Sequence, residues 1–175
     1  MLQRLLVTGR PGVGKTTLVQ RVVAGLPRPV RGFFTQEVRE GGRRVGFQVV
    51  TFSGRTGWLA HVAWQQGPRV GRYRVNLKGF EEVVLPELDL ENVPTATLIV
   101  VDEIGPMELL SVPFQEALMA LMDGPWDVLA TMALKPHPLI NALRARRDVE
   151  VMVLTPQNRD ALVSQLRARL KRVPS

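Results

Sequence analysis

The chain has 175 residues, 45% of them hydrophobic, with no cysteine and with 23 Lys and Arg against 16 Asp and Glu, a net charge of +7. That length suits one domain over residues 1–175. The composition excludes disulfides, thiolate metal sites and a cysteine nucleophile, and no apolar run reaches the roughly 18 residues of a membrane span. The basic surplus favours polyanionic ligands, but the arginines are scattered along the sequence, as solvated surface charge would be, and the densest cluster is RARR, Arg144 to Arg147.

In chain order, RLLVTG is a short apolar run closed by glycine, the pattern of a buried parallel strand rather than of a leader peptide. From Gly14 to Leu26 the pattern turns helical, with Leu18, Val22 and Leu26 at four-residue spacing. Two β-rich runs then flank Gly41-Gly42, which predicts a hairpin. GWLAHVA reads as a further strand. RYRVNLKGFEEVV reads as a strand and then a helix capped by Asn76 and ended by Pro86. ATLIVVDEIG is a buried strand ending in two carboxylates. SVPFQEALMALM is a helix capped by Ser111. DVLATM is another buried strand, PLINALRARR a short helix and VEVMVLT a strand. The last helix is predicted from Pro156, capped by Thr155, with Leu162, Val163, Leu166 and Leu170 facing the core. Apolar strands alternating with helices imply an α/β fold, a mostly parallel sheet flanked by helices, with the β-hairpin inserted after the first helix.

Gly9, Gly14, Lys15 and Thr16 match G-x-x-x-x-G-K-[ST], with a strand before and a helix after. Glycines let successive N–H groups point inward around phosphate oxygens, and the helix start adds its positive dipole end. The expected phosphate cradle is Gly9, Arg10, Pro11, Gly12, Val13, Gly14, Lys15, Thr16 and Thr17, with Lys15 on the β- and γ-phosphates and the Thr16 hydroxyl on Mg²⁺. At a strand's carboxyl end, Asp102 is expected to hold that metal with Thr16. Glu103 is expected to orient and deprotonate an attacking water. Asp102 to Gly105 also fits D-x-x-G, but no N-K-x-D follows. Thr131 is a γ-phosphate sensor if its strand lies between the first strand and that of Asp102; a strand-end threonine without a ligand is the equal alternative. Neither His61 nor His137 has metal-ligand spacing to another ligand.

The segments GRPGVGKTTLV, GFFTQEVREGGRRVGFQVVT, VGRYRVNLKGFEEV, VDEIGPMEL and LTPQNRDAL resemble the small P-loop nucleoside-triphosphatase family of thermophile enzymes and the cancer-related nucleoside triphosphatase, nearly end to end. The resemblance implies a RecA-like core and slow, Mg²⁺-dependent hydrolysis of ATP, GTP and other nucleoside triphosphates to diphosphate and phosphate, with little base selectivity. It also implies a second nucleotide-contacting segment of Val100, Val101, Asp102, Glu103, Ile104, Gly105, Pro106 and Met107. The family usually reads D-E-I-G-K-M-E; here Pro106 replaces the lysine, and Arg10, Arg72 and Arg74 are the candidates to supply its charge. Thr35, Glu37, Tyr73 and Asn76 either line the site or shape the hairpin.

Two other classes stay open: a nucleotide or small-molecule kinase with RARR as a basic lid, and a nucleotide-gated nucleic-acid binder. The latter is disfavoured because the sequence shows no aromatic-interleaved basic stripe. A cytoplasmic location is expected, with no membrane partner. Oligomeric state is left open, a monomer being the simplest case.

Overall fold

Period-two alternation in the central strands sorts the core into two layers. The structure, a computed structural model, describes residues 1–173. Strands β1 (Arg4–Thr8), β7 (Leu98–Ile104) and β8 (Val128–Met132) lie in the middle of the sheet. Leu5, Val7, Leu98, Val100 and Leu129 point to one side, where helices α1 (Lys15–Val23) and α5 (Arg159–Leu170) cover them. Leu6, Ile99, Val101, Val128 and Ala130 point to the other, under α2 (Leu77–Val84), α3 (Val112–Met122) and α4 (Pro138–Ala145).

The remaining strands are β2 (Val30–Glu40), β3 (Arg43–Thr51), β4 (Thr56–His61), β5 (Arg69–Val70), β6 (Tyr73–Val75) and β9 (Glu150–Val153). All nine form one sheet in the order β5-β6-β4-β3-β2-β7-β8-β1-β9. The strands from β2 to β9 in that order are parallel; β3, β4, β6 and β5 extend the sheet antiparallel. The turn at Gly41-Gly42 does join two antiparallel strands. Its first strand is also a core strand: Val30–Phe33 pairs with β7 in parallel, while Phe33–Glu40 pairs with β3. One long strand thus couples the parallel half to an antiparallel wing. Phe33 on that strand, Phe80 on α2 and Phe114 on α3 meet edge to face, with centroids 5.3–6.0 Å apart.

Asn76 accepts from the Gly79 N–H and Ser111 from the Phe114 N–H, so both predicted caps are made. The last helix differs from expectation. Thr155 and Asn158 hydrogen-bond each other's main-chain N–H through their side chains, closing a local turn over Pro156 and Gln157, and α5 begins only at Arg159. The first helix stops at Val23, one turn early, before Gly25 at φ 70°. Its last carbonyls, those of Arg21, Val22 and Ala24, accept from the Arg167 guanidinium on α5.

A buried ion pair closes the base of the fold. Arg28 and Asp127 lie 2.9 Å apart with side chains 0% and 2% exposed. Arg28 also donates to the carbonyls of Ala96 and Leu170, and Asp127 accepts from the Gln3 N–H. Removing one partner of such a pair strands a charge in the interior, at a cost of about 3–5 kcal/mol. Asp127→Ala should therefore lower unfolding free energy in urea by about that amount. The double variant Arg28→Met/Asp127→Leu should recover most of the loss.

Candidate nucleotide site

The end of β1 and the start of α1 build a cradle of main-chain amides. Gly14 stands at φ 104°, a left-handed conformation that few side chains tolerate, and turns the chain into α1. Among the described residues, no acidic side chain occupies the first turn of α1 and none caps it, so its amides are open to an anion. Lys15 folds back so that Nζ lies 3.0 Å from both the Gly9 carbonyl and Glu103 Oε2. Arg10, Pro11, Gly12 and Thr17 are exposed around the loop, with Val13, Gly14, Lys15 and Thr16 half-buried.

The acid pair reaches this cradle because β8 lies between β1 and β7. Asp102 is 1% exposed and accepts three hydrogen bonds: from Thr16 Oγ1 at 2.7 Å, from Thr131 Oγ1 at 2.5 Å, and from the main chain of Thr35. Burial outweighs these bonds, and the neighbouring Glu103 adds to it, so the carboxyl is pushed up to about 6. Glu103 is more open and faces Lys15. Gly105 fits between two carboxylates: a Cβ there would come within 2.8 Å of Glu103 and 3.1 Å of Glu108. Glu108 is itself buried, and burial followed by the charge of Glu103 pushes its carboxyl well above the usual range.

Several sequence expectations change here. Thr131 does lie on the intervening strand, and its hydroxyl donates to Asp102, so it positions that carboxylate. The side chains of Val100, Val101 and Ile104 are fully buried in the two apolar layers, so only their main chain could meet a ligand, whereas Asp102 and Glu103 point their carboxylates toward the loop. Pro106 and Met107 are half-buried beyond them. Arg72 and Arg74 sit on the antiparallel wing, bonded to the carbonyls of Arg44 and Gly67, which leaves Arg10 as the candidate adjoining the loop. The RARR cluster lies at the opposite edge of the sheet. There Arg146 is held by Asp123 and Asp148, and Asp148 pairs with Arg4 at the start of β1, so the cluster forms no lid over the cradle. His137 caps α4 through Nδ1, and His61 accepts from the Ala63 N–H.

Beside the first turn of α1 opens a cleft of about 390 Å³, lined by Gly14, Thr17, Leu18, Arg21, Pro156 and Arg159 among others. Arg21 pairs with Asp160 at 2.9 Å on its flank. Arg21 carries no local signal in the sequence, because its partner lies far along the chain.

With this geometry in view, the chain can be set beside known proteins. Residues 4–167 match the family described as NTPase. The nucleoside-triphosphatase THEP1 of Thermotoga maritima is 40% identical over 168 residues, covering 96% of this chain and 95% of its own. The human cancer-related nucleoside-triphosphatase is 41% identical over 181 residues, with 95% of each chain covered. The crystal structure of THEP1 from Aquifex aeolicus superposes with a TM-score of 0.89 at 35% identity, covering 97% of this chain and all of the other. The solution structure of the human protein superposes with a TM-score of 0.80. Near-full coverage in both sequence and fold, with the loop and the acid pair inside the matched span, places this chain in the NTPase family.

Proposed function

We propose that this protein hydrolyses nucleoside triphosphates to diphosphate and phosphate, with Mg²⁺ and with little base selectivity, on a RecA-like core extended by an antiparallel wing, and that it does so in the cytoplasm. The observation that carries the reading is the meeting of Lys15 with Glu103 at 3.0 Å: the phosphate-loop cation and the acid that would orient water share one point in space.

A triphosphate entering the cradle offers Lys15 a stronger partner than Glu103. The ammonium swings to the β- and γ-oxygens, and the loop amides and the α1 dipole take the remaining charge. Glu103, released from the ion pair, accepts a hydrogen bond from a water and lines it up on the γ-phosphorus. Thr131 and the Thr35 main chain hold Asp102 still meanwhile. The donor set fits a hard divalent cation. Thr16 and Asp102 offer paired oxygens, and among the described residues Asp102 has no cationic partner. Bound there, Mg²⁺ would draw charge from the phosphate oxygens. The cleft by Arg159 takes the nucleoside. Its walls of main chain, proline and guanidinium can stack or slide past any base, which supports low selectivity.

Glu103→Gln should keep triphosphate affinity within a few-fold while phosphate release falls about 100-fold or more, the span usual for a positioned base. Wild-type turnover in that variant would remove Glu103 from the chemistry. Lys15→Ala should weaken triphosphate binding at least tenfold by calorimetry. Phosphate release from ATP, GTP, CTP and UTP should agree within an order of magnitude and stop when Mg²⁺ is chelated.

The raised Asp102 value gives two opposite pH trends. Mg²⁺ needs the ionised carboxylate, so at limiting Mg²⁺ turnover should fall as pH drops through about 6, and added Mg²⁺ should move that fall to lower pH. In the metal-free protein the buried charge is a cost. The folded value lies above the unfolded 3.8, so this group's stability is fully present below about pH 4 and lost as pH rises through about 6, by about 3 kcal/mol. Melting curves of metal-free wild type and Asp102→Asn should therefore converge at pH 4, with the variant gaining stability relative to wild type by pH 7.5.

A further inference from the structure

Residues 41–80 contain seven Arg and Lys and no Asp or Glu, a surplus equal to the net charge of the whole chain; the remainder is balanced. Along the sequence these cations look dispersed. In the fold the six arginines fall on β3 to β6 and the adjoining turns, the antiparallel wing, while Lys78 lies on α2; Arg55 reaches the α2 carbonyls of Glu82 and Val83, and Arg69 and Arg74 share a row with His61.

One face of that wing is covered and the other is not. Phe47, Val49, Ala60 and Val75 pack inward toward Phe80 and Val84 of α2. Their neighbours along each strand turn the opposite way. Cross-strand register sets Gln36, Gln48 and Trp58 in one row, and Gly46, His61, Arg74 and Arg69 in the next. Among the described residues, no side chain of β3 to β6 takes part in the core beneath α1 and α5, save Phe52 just past β3. On this open face Trp58, His61 and Trp64 form a three-ring cluster, with centroids 5.2, 5.8 and 6.1 Å apart, all three only half-buried. Gly46 supplies the floor: a Cβ there would come within 3.1 Å of the Trp58 ring.

We propose that this face binds single-stranded nucleic acid. Unpaired bases present flat π-faces that stack on Trp64 and the rings beside it. The arginines of the β5–β6 hairpin neutralise the backbone that follows. Base stacking needs rings at the surface of a rigid platform, and a sheet supplies one. A duplex hides its bases, and a lipid surface needs side chains that insert singly, whereas these rings pack on one another. The wing also adjoins the nucleotide site: β2 carries both Thr35, whose main chain bonds Asp102, and Gln36 of this face. A strand laid on the wing therefore lies next to the β7 acids. The inference does not depend on hydrolysis; it would stand in a protein with Glu103 replaced.

Fluorescence anisotropy of the full chain with labelled 20-mers of dT and rU tests it. Binding should weaken about 50-fold from 50 to 200 mM salt, the slope for about four phosphates on a single strand. Trp64→Ala should cost tenfold or more with the salt slope unchanged, and Trp64→Phe should restore most of the affinity. Arg69→Gln should flatten the slope. All variants should keep the wild-type melting temperature within a few degrees and keep phosphate release from ATP. No binding of either oligomer at 50 mM salt would overturn the proposal. So would equal affinity for a duplex of the same length, for heparin or for phosphatidylserine vesicles, or an unchanged affinity in Trp64→Ala.

Discussion

Asp102 is a carboxylate that the fold keeps in the interior with no counter-ion among the described residues, and three separate elements converge to make that tolerable. Thr16 brings the front of α1, Thr131 brings β8, and the Thr35 main chain brings β2. A buried carboxylate deprived of such donors costs several kcal/mol, so the three elements are tied to one position as firmly as by packing. The phosphate loop is consequently placed against the acid pair by the same bonds that satisfy the acid. The order of the parallel strands is what makes this possible: β8 fills the gap between β1 and β7 and contributes a hydroxyl in place of an apolar side chain.

Much of this was legible in the sequence because it rests on local rules. The glycine spacing of the loop, the apolar run ending in Asp102 and Glu103, and the caps at Asn76 and Ser111 are all readable within a few residues. What stayed hidden depends on contacts between distant segments. That Thr131 serves Asp102 follows from β8 slotting between two strands distant in sequence, Arg4–Thr8 and Leu98–Ile104. That β2 belongs both to the parallel core and to the hairpin follows from its length, which local periodicity does not resolve. The delayed start of α5 has a different cause. Thr155 and Asn158 satisfy each other's amides, and that closed turn competes with the helical start that Pro156 suggests.

The charge distribution repeats the lesson on a larger scale. Counted along the chain, the arginines resemble a composition bias. Placed on strands with their register, Arg69 and Arg74 fall in the row of His61, on the face that carries Trp58 and Trp64. An alternating strand hands every second residue to the same face, so a face can be basic and aromatic although no window of sequence is.

Helix α1 is gripped at both ends. Its front amides face the cradle, while its rear carbonyls are held by Arg167, a residue near the opposite end of the chain. A short helix with free ends can slide or fray when an anion tugs at its tip; this one is moored at the stern. From Arg167 the chain of contacts runs along α5 and, through Leu170, to the Arg28 anchor at the bottom of the molecule. The last helix is thereby the keel to which the loop-bearing helix is fastened.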